Sequence, residues 1–145
     1  MGLEMQIILQ LLLATFLGGV IGLEREYKQK QAGLQTYSLI CLGSCIFTLI
    51  GLEIFNVLTY KSGFNSDPIR IIQAVAIGIG FVGAGVIFRR QSGVEGITTA
   101  AGLWATAAIG VAVAVKFFFL AIMGTLLTLA ILVGFGLMEE RYFTD

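Results

Sequence analysis

The sequence contains no histidine, a single proline and few charged residues. The lack of histidine removes the side chain that most often serves as a general base or as a metal ligand. Charged residues make up 12% of the 145 residues, whereas soluble domains carry about 25%. The net charge of zero excludes the clustered basic excess that nucleic-acid binding requires. With a mean hydropathy of +0.94, this composition indicates a protein whose main solvent is lipid.

Reactive residues are scarce as well. The two cysteines, Cys41 and Cys45, lie four residues apart in an apolar stretch, and two thiolates without histidine make an incomplete metal site. We interpret them as small apolar packing residues, and we expect no bound metal and no other cofactor. The sequence has neither a phosphate-binding GxxxxGK[ST] loop nor a G-x-S-x-G nucleophile elbow. We therefore expect no enzyme and name no catalytic residue.

Five long apolar runs dominate what is present. A membrane-spanning helix needs about 20 mostly apolar residues, and the runs cover about residues 5–23, 37–57, 69–88, 97–115 and 117–137. The sequence therefore predicts an all-α polytopic membrane protein with five transmembrane helices in a single domain, residues 1–145. Gln6 and Gln10 interrupt the first run, and we expect them to reach interfacial water.

The basic residues predict the orientation of these spans. Loops on the cytoplasmic side of a membrane are enriched in lysine and arginine. One side of the predicted bundle would hold Arg25, Lys28, Lys30, Arg89, Arg90 and Arg141. The other side would hold Lys61, Arg70 and Lys116. We therefore expect the N-terminus outside and the C-terminus inside.

Glycines and other small residues are concentrated in the predicted spans. The third span contains Gly78, Gly80, Gly83 and Gly85 in a G-x-G-x-x-G string, but it has no preceding strand, so we reject a dinucleotide-binding loop. Small residues allow membrane helices to approach closely. We interpret these glycines, Gly18 and Gly22 in the first span, and Thr98, Thr99 and Trp104 in the fourth as helix-packing residues. The alternative is a substrate path lined by glycine carbonyls.

We expect spans three and four to have close helical neighbours on several faces. Trp104 lies in the middle of the fourth span and not at an interface, where tryptophan usually lies. We expect it to pack over the glycines of span three.

Two groups of charged residues are candidate functional sites. Glu24, Arg25 and Glu26 end the first span, where they form either a solvated flank or a functional group inside the bundle, with Arg89 and Arg90 as further partners. Near the opposite end of the bundle, Asp67 is placed to cap the third span. Arg70 lies in the first turn of that span, where the helix dipole disfavours a cation. We expect a cluster of Glu53, Asp67 and Arg70 there.

The sequence resembles the MgtC/SapB family of bacterial membrane proteins along nearly its whole length. The resemblance rests on residues 18–26 (GGVIGLERE), 32–36 (AGLQT), 42–44 (LGS), 67–71 (DPIRI), 78–87 (GIGFVGAGVI) and 96–104 (GITTAAGLW), continuing through 107–110 (AAIG). This sequence has Glu95 where family members typically carry an arginine. Larger members add a C-terminal cytoplasmic domain, and this sequence resembles the form without it.

The resemblance implies a protein of the bacterial inner membrane that is linked to growth under low magnesium and, in pathogens, to survival inside host cells. It further implies regulation of other membrane machinery, including the proton-driven ATP synthase. Our leading hypothesis is a non-enzymatic regulator that acts through helix–helix contacts and assembles as a homo-oligomer, a dimer in the simplest case. The alternative is a small oligomeric transporter or channel for Mg²⁺ or another cation.

Overall fold

The computed structural model describes residues 2–62, 67–91 and 93–138, with residues 59–62 described by their secondary structure alone. Within this part, five helices are long and apolar enough to cross a membrane, which confirms the predicted all-α, five-span architecture. The helices are α1 (Leu3–Tyr27), α2 (Leu34–Ser62), α3 (Ile69–Val86), α4 (Ile97–Ala114) and α5 (Phe118–Ala130). A π-helical segment, Ile131–Phe135, extends α5, so that the last span runs from Phe118 to Met138.

Helix α4 lies at the centre of the bundle and packs against each of the other four helices. Its small residues make this possible, because they let neighbouring backbones approach closely. A β-carbon on Gly110 would overlap the carbonyl oxygen of Cys41 on α2, and one on Gly102 would lie 2.5 Å from the Tyr37 hydroxyl. Glycine at these two positions therefore fixes how closely α2 can lie against α4.

Helices α1 and α2 form a second close pair. A β-carbon on Gly18 would lie 2.6 Å from the carbonyl oxygen of Tyr37, and one on Gly22 would lie 2.7 Å from the Cα of Leu34. Cys41 and Cys45 are both free and fully buried in the core next to this contact. The α1–α2 pair and α4 together supply most of the buried residues of the bundle.

Gln10 departs from our expectation that it reaches interfacial water. Its side chain is 4% exposed, and its amide Nε2 donates hydrogen bonds to the carbonyl oxygens of Val113 and Ala114, each at 2.8 Å. Those carbonyls belong to the last turn of α4, where a helix leaves carbonyl oxygens without i+4 partners. The Val113 oxygen also accepts a hydrogen bond from the Lys116 N–H at 3.0 Å. The expectation was wrong because the last carbonyl oxygens of α4 lie on buried residues, Val113 and Ala114, within hydrogen-bond distance of the amide.

A short β-hairpin joins α3 to α4, and it was not predicted from the sequence. Strands β1 (Phe88–Arg90) and β2 (Gly93–Glu95) pair antiparallel, with Phe88 opposite Glu95. Helix α3 therefore ends at Val86, two residues before the end that we predicted. Gly96 follows the hairpin with φ +91°, and a β-carbon there would overlap the Val86 carbonyl oxygen. Glycine is thus required where the chain turns into α4.

Candidate functional site

One side of α3, bordered at Gly78 by the space between α2 and α3, combines glycines with exposed large apolar residues. Gly78 and Gly85 lie seven residues apart, which places them on the same side of the helix. A β-carbon on either, or on Gly80, would meet no atom within 4 Å. Ile77 and Phe81 on this side are 75% and 84% exposed. We call these five residues the outward face of α3.

This arrangement bears on two of our expectations about the third span. Close neighbours on several faces of α3 were expected, and among the described residues Gly83 is the one glycine of α3 that approaches another helix, with its β-carbon position 3.4 Å from the Cβ of Ala100. Trp104 was expected to cover the glycines, yet it is 54% exposed on α4. Within the chain α3 packs mainly against α4, and close neighbours for its other glycines stay a prediction.

Helices α2 and α3 diverge, and a cavity of about 730 Å³ opens between them. Its lining is mostly apolar and includes Arg70, Ser44 and Gly78. The expected pairing of Arg70 is absent in the described part of the chain, because no salt bridge there joins it to Glu53 or Asp67. Asp67 instead accepts a hydrogen bond from the Ile69 N–H at 3.0 Å, as a helix cap does.

The charges at the end of α1 lie in three different environments. Arg25 is 3% exposed, and its guanidinium binds the Glu24 carboxylate through two contacts, one of them 2.6 Å from Nη2 to Oε1. Lys28 Nζ lies 3.8 Å from the same carboxylate. The Glu26 carboxylate accepts a hydrogen bond from the Leu34 N–H at the start of α2, at 3.1 Å. Arg25 is therefore a residue of the bundle interior and not part of a solvated flank.

The arginines of the hairpin do not join this group. Arg89 and Arg90 are both exposed on β1. Arg90 Nε lies 3.5 Å from the Glu95 carboxylate on β2, and its guanidinium carbon lies 5.3 Å from the centre of the Phe88 ring. The salt bridges of the described residues thus pair Glu24 with Arg25 and Lys28, and Glu95 with Arg90.

A polar cavity of about 830 Å³ lies at the same end of the bundle, and we call it the basic pocket. Its polar lining consists of Arg25, Lys28, Lys30, Gln31, Glu95, Thr98 and Thr99. Its apolar lining comes from β2, from Ile97 at the start of α4 and from the π-helical segment. The Thr99 hydroxyl donates to the Gln31 side-chain oxygen at 3.1 Å. Thr98 and Thr99, which we interpreted as helix-packing residues, line this pocket at the start of α4.

The π-helical segment is a feature that sequence reasoning missed. Such segments are rare and occur frequently at functional sites. Here the Leu132 carbonyl oxygen accepts a hydrogen bond from Arg25 Nη2 at 3.5 Å, which ties α5 to the buried arginine. In the residues that the structure describes, no group of three or more acidic or cysteine side chains is placed to hold a metal ion.

Comparison with known proteins decides the family. The model of the MgtC family matches residues 11–141, which is nearly the whole chain. The chain belongs to the MgtC family. This confirms the resemblance drawn from the sequence motifs and, with the five spans, makes the chain an integral membrane protein of a bacterial family.

Curated relatives of this MgtC-family chain carry names that differ in what they claim. It is 38% identical over 142 residues to the putative magnesium transporter YhiD of Escherichia coli K12, with 94% of this chain and 66% of YhiD covered. It is 38% identical over 117 residues to protein SapB of Bacillus subtilis, with 80% and 50% covered. It is 42% identical over 104 residues to protein MgtC of Salmonella typhimurium LT2, with 72% and 41% covered.

The MgtC-family chain thus spans between about two fifths and two thirds of the length of these three relatives. No solved structure matches the chain.

Proposed function

We propose that this MgtC-family chain is a non-enzymatic membrane protein that regulates other membrane machinery through helix–helix contacts made by the outward face of α3. The observation that carries the proposal is the open space around Gly78, Gly80 and Gly85 on α3, a helix that is long and apolar enough to cross a membrane. The outward face would meet a helix of a second copy or of another membrane protein.

The glycines of the chain support this proposal because they divide into two sets. Gly18, Gly22 and Gly110 lie against α2 so closely that a β-carbon would meet backbone atoms of that helix. At Gly78, Gly80 and Gly85 a β-carbon would meet no atom of the described residues within 4 Å. Glycine in the interior of a helix costs about 1 kcal/mol relative to alanine. Three such glycines beside exposed Ile77 and Phe81 bring no packing gain unless another helix approaches them.

Helix contact in lipid depends on this kind of surface. Lipid tails are as apolar as leucine, so membrane helices associate through close packing of small residues and not through hydrophobic burial. A glycine-rich face bordered by Ile77 and Phe81 offers a shallow groove with large side chains beside it. A homodimer uses the same patch on both copies, and the family resemblance implies ATP synthase as a different membrane partner.

The matched test compares the same substitution on two open surfaces. Gly78→Leu and Gly85→Leu should leave the fold of the single chain intact, because a β-carbon at either position meets no described atom within 4 Å. They should abolish self-association in detergent, co-purification of membrane partners and support of growth at low magnesium. Gly134→Leu, in equally open space on the π-helical segment, is the control and should retain all three. If both α3 variants retained association and growth support, the proposal would be wrong.

The alternative function is an oligomeric transporter or channel for Mg²⁺ or another cation. The name of the Escherichia coli relative YhiD, a putative magnesium transporter, favours it. A cation pathway is expected to place acidic side chains or backbone carbonyls at mid-depth. Here the carbonyls of the glycine-rich α3 are the available groups, and an oligomer would have to enclose them. Purified protein in liposomes should show no Mg²⁺ uptake above protein-free vesicles if the regulatory proposal is right, and clear uptake if the alternative is right.

In the orientation that we predict, the basic pocket would lie on the cytoplasmic side of a bacterial inner membrane. Arg25, Lys28 and Lys30 lie at that end of the bundle with the exposed hairpin arginines. Lysine and arginine are enriched in cytoplasmic loops. The Lys61 side chain and Arg141, which also entered the count of basic residues, lie outside the described residues.

A further inference from the structure

The basic pocket has more positive charge than its own carboxylates engage. Its lining contains three cations, Arg25, Lys28 and Lys30, and one carboxylate, Glu95. Glu95 is already paired with Arg90 at 3.5 Å. The Glu24 carboxylate binds the Arg25 guanidinium through two contacts and lies 3.8 Å from Lys28 Nζ. No salt bridge among the described residues involves Lys30, and Lys28 has only the 3.8 Å contact to a carboxylate that Arg25 already binds. Lys30 is therefore free to meet a ligand, and Lys28 can do so by giving up a long contact.

The start of α4 adds hydrogen-bond donors to the same cavity. Gly96 is the N-cap residue, and no side chain caps the helix. The N–H groups of Ile97, Thr98 and Thr99 precede the first residue whose N–H is bonded within the helix, Ala100. All three residues line the pocket. Their donors, together with the positive end of the helix dipole, favour an anion at this position.

The remaining lining indicates what kind of anion fits. Ile131, Leu132 and Phe135 of the last span form one apolar wall, and β2 contributes another. The cavity lies where a spanning helix starts, which is the depth of lipid headgroups. Basic pockets between membrane helices are known to bind the headgroups of anionic lipids. We propose that the basic pocket binds a phosphate-bearing anion, held by Lys28 and Lys30 and by the uncapped N-terminus of α4.

The phosphate can come from an anionic phospholipid or from a soluble phosphate compound, and two measurements distinguish these sources. Native mass spectrometry of the full chain in detergent, titrated with phosphatidylglycerol and with phosphatidylcholine, reports lipid binding. Calorimetric titration with inorganic pyrophosphate reports soluble phosphate. We expect phosphatidylglycerol to bind and phosphatidylcholine not to do so.

Lysine variants test the site itself. Near an anionic surface each lysine strengthens binding about fivefold, so Lys28→Gln with Lys30→Gln should weaken phosphatidylglycerol binding about thirtyfold. Lys116→Gln is the matched control, because Lys116 lies at the opposite end of the bundle, where its Nζ contacts Gln6 at 3.2 Å. This control should leave binding unchanged.

Thr98→Glu provides a second variant that does not depend on losing a lysine. A glutamate in the first turn stabilises a helix through its dipole, so the fold should hold. The same carboxylate would place a negative charge at the N-terminus of α4, where we propose that the phosphate binds, and it should abolish phosphatidylglycerol binding. Pyrophosphate binding with the same dependence on these variants would assign the site to a soluble phosphate. If neither probe binds, or if the lysine pair, Thr98→Glu and Lys116→Gln all behave alike, the proposal is overturned.

Discussion

Replacing Gln10 with methionine should destabilise the bundle, although methionine is the more apolar residue and Gln10 lies in an apolar membrane span. The amide Nε2 of Gln10 donates to two carbonyl oxygens at the end of α4, both at 2.8 Å, and the side chain is 4% exposed. Interhelical hydrogen bonds in membrane proteins contribute about 0.6 kcal/mol on average and at most about 1.7 kcal/mol each. Two such bonds set an expected loss of about 1–3 kcal/mol.

Methionine suits this test because it is unbranched and close to glutamine in length, so that packing changes little. Gln6→Met is the control on the same helix, since the Gln6 side-chain oxygen accepts only one exposed hydrogen bond, from Lys116 Nζ at 3.2 Å. It should cost less than about 0.5 kcal/mol. Unfolding of both variants in mixed micelles of increasing denaturing detergent gives the comparison. Equal stability of the two would refute the reasoning that Gln10 closes the end of α4.

Three further perturbations follow from the packing and the charges. Gly110→Ala should lower the free energy of unfolding by about 1–3 kcal/mol through overpacking against α2, measured against Gly43→Ala, where a β-carbon meets nothing within 4 Å; equal effects would contradict the close approach. Arg25→Met should cost up to about 3–5 kcal/mol because it breaks a largely buried ion pair and leaves the partly buried Glu24 carboxylate with Lys28 at 3.8 Å, and adding Glu24→Gln should restore most of that loss. A double variant no more stable than the single one would rule out this pairing. A cysteine introduced at Gln29 should react with a membrane-impermeant thiol reagent only from the cytoplasmic side, and one at Phe117 only from outside; the reverse pattern would overturn the orientation.

The sequence was sufficient to predict the number and order of the spans. Each apolar run is long enough for a helix to span the hydrocarbon core of a bilayer, and that signal does not depend on how the helices pack. The hairpin at residues 88–95 escaped prediction because two strands of three residues give no usable periodicity. It follows directly on an apolar run, so the run was extended to residue 88.

Which side of each helix faces inward could not be derived in the same way. A soluble helix marks its buried side by a stripe of apolar residues, but a membrane helix is apolar on every side because lipid and core are equally apolar. Gly18 and Gly78 therefore look alike in the sequence, although one contacts α2 and the other is open. The sequence also left open whether Arg25, beside the exposed Glu26 and Tyr27, lies in a solvated flank or inside the bundle.

The central place of α4 has a consequence for the order of assembly during synthesis. Four helices pack against a span that begins only at residue 97, after α1, α2 and α3 have been made. The α1–α2 pair can form at once from its own close contacts. Helix α3 packs chiefly against α4 and less against α2. After its own insertion, α3 therefore lacks its main packing partner until α4 is inserted. The late arrival of one small-residue helix thus converts a pair and a single helix into one bundle.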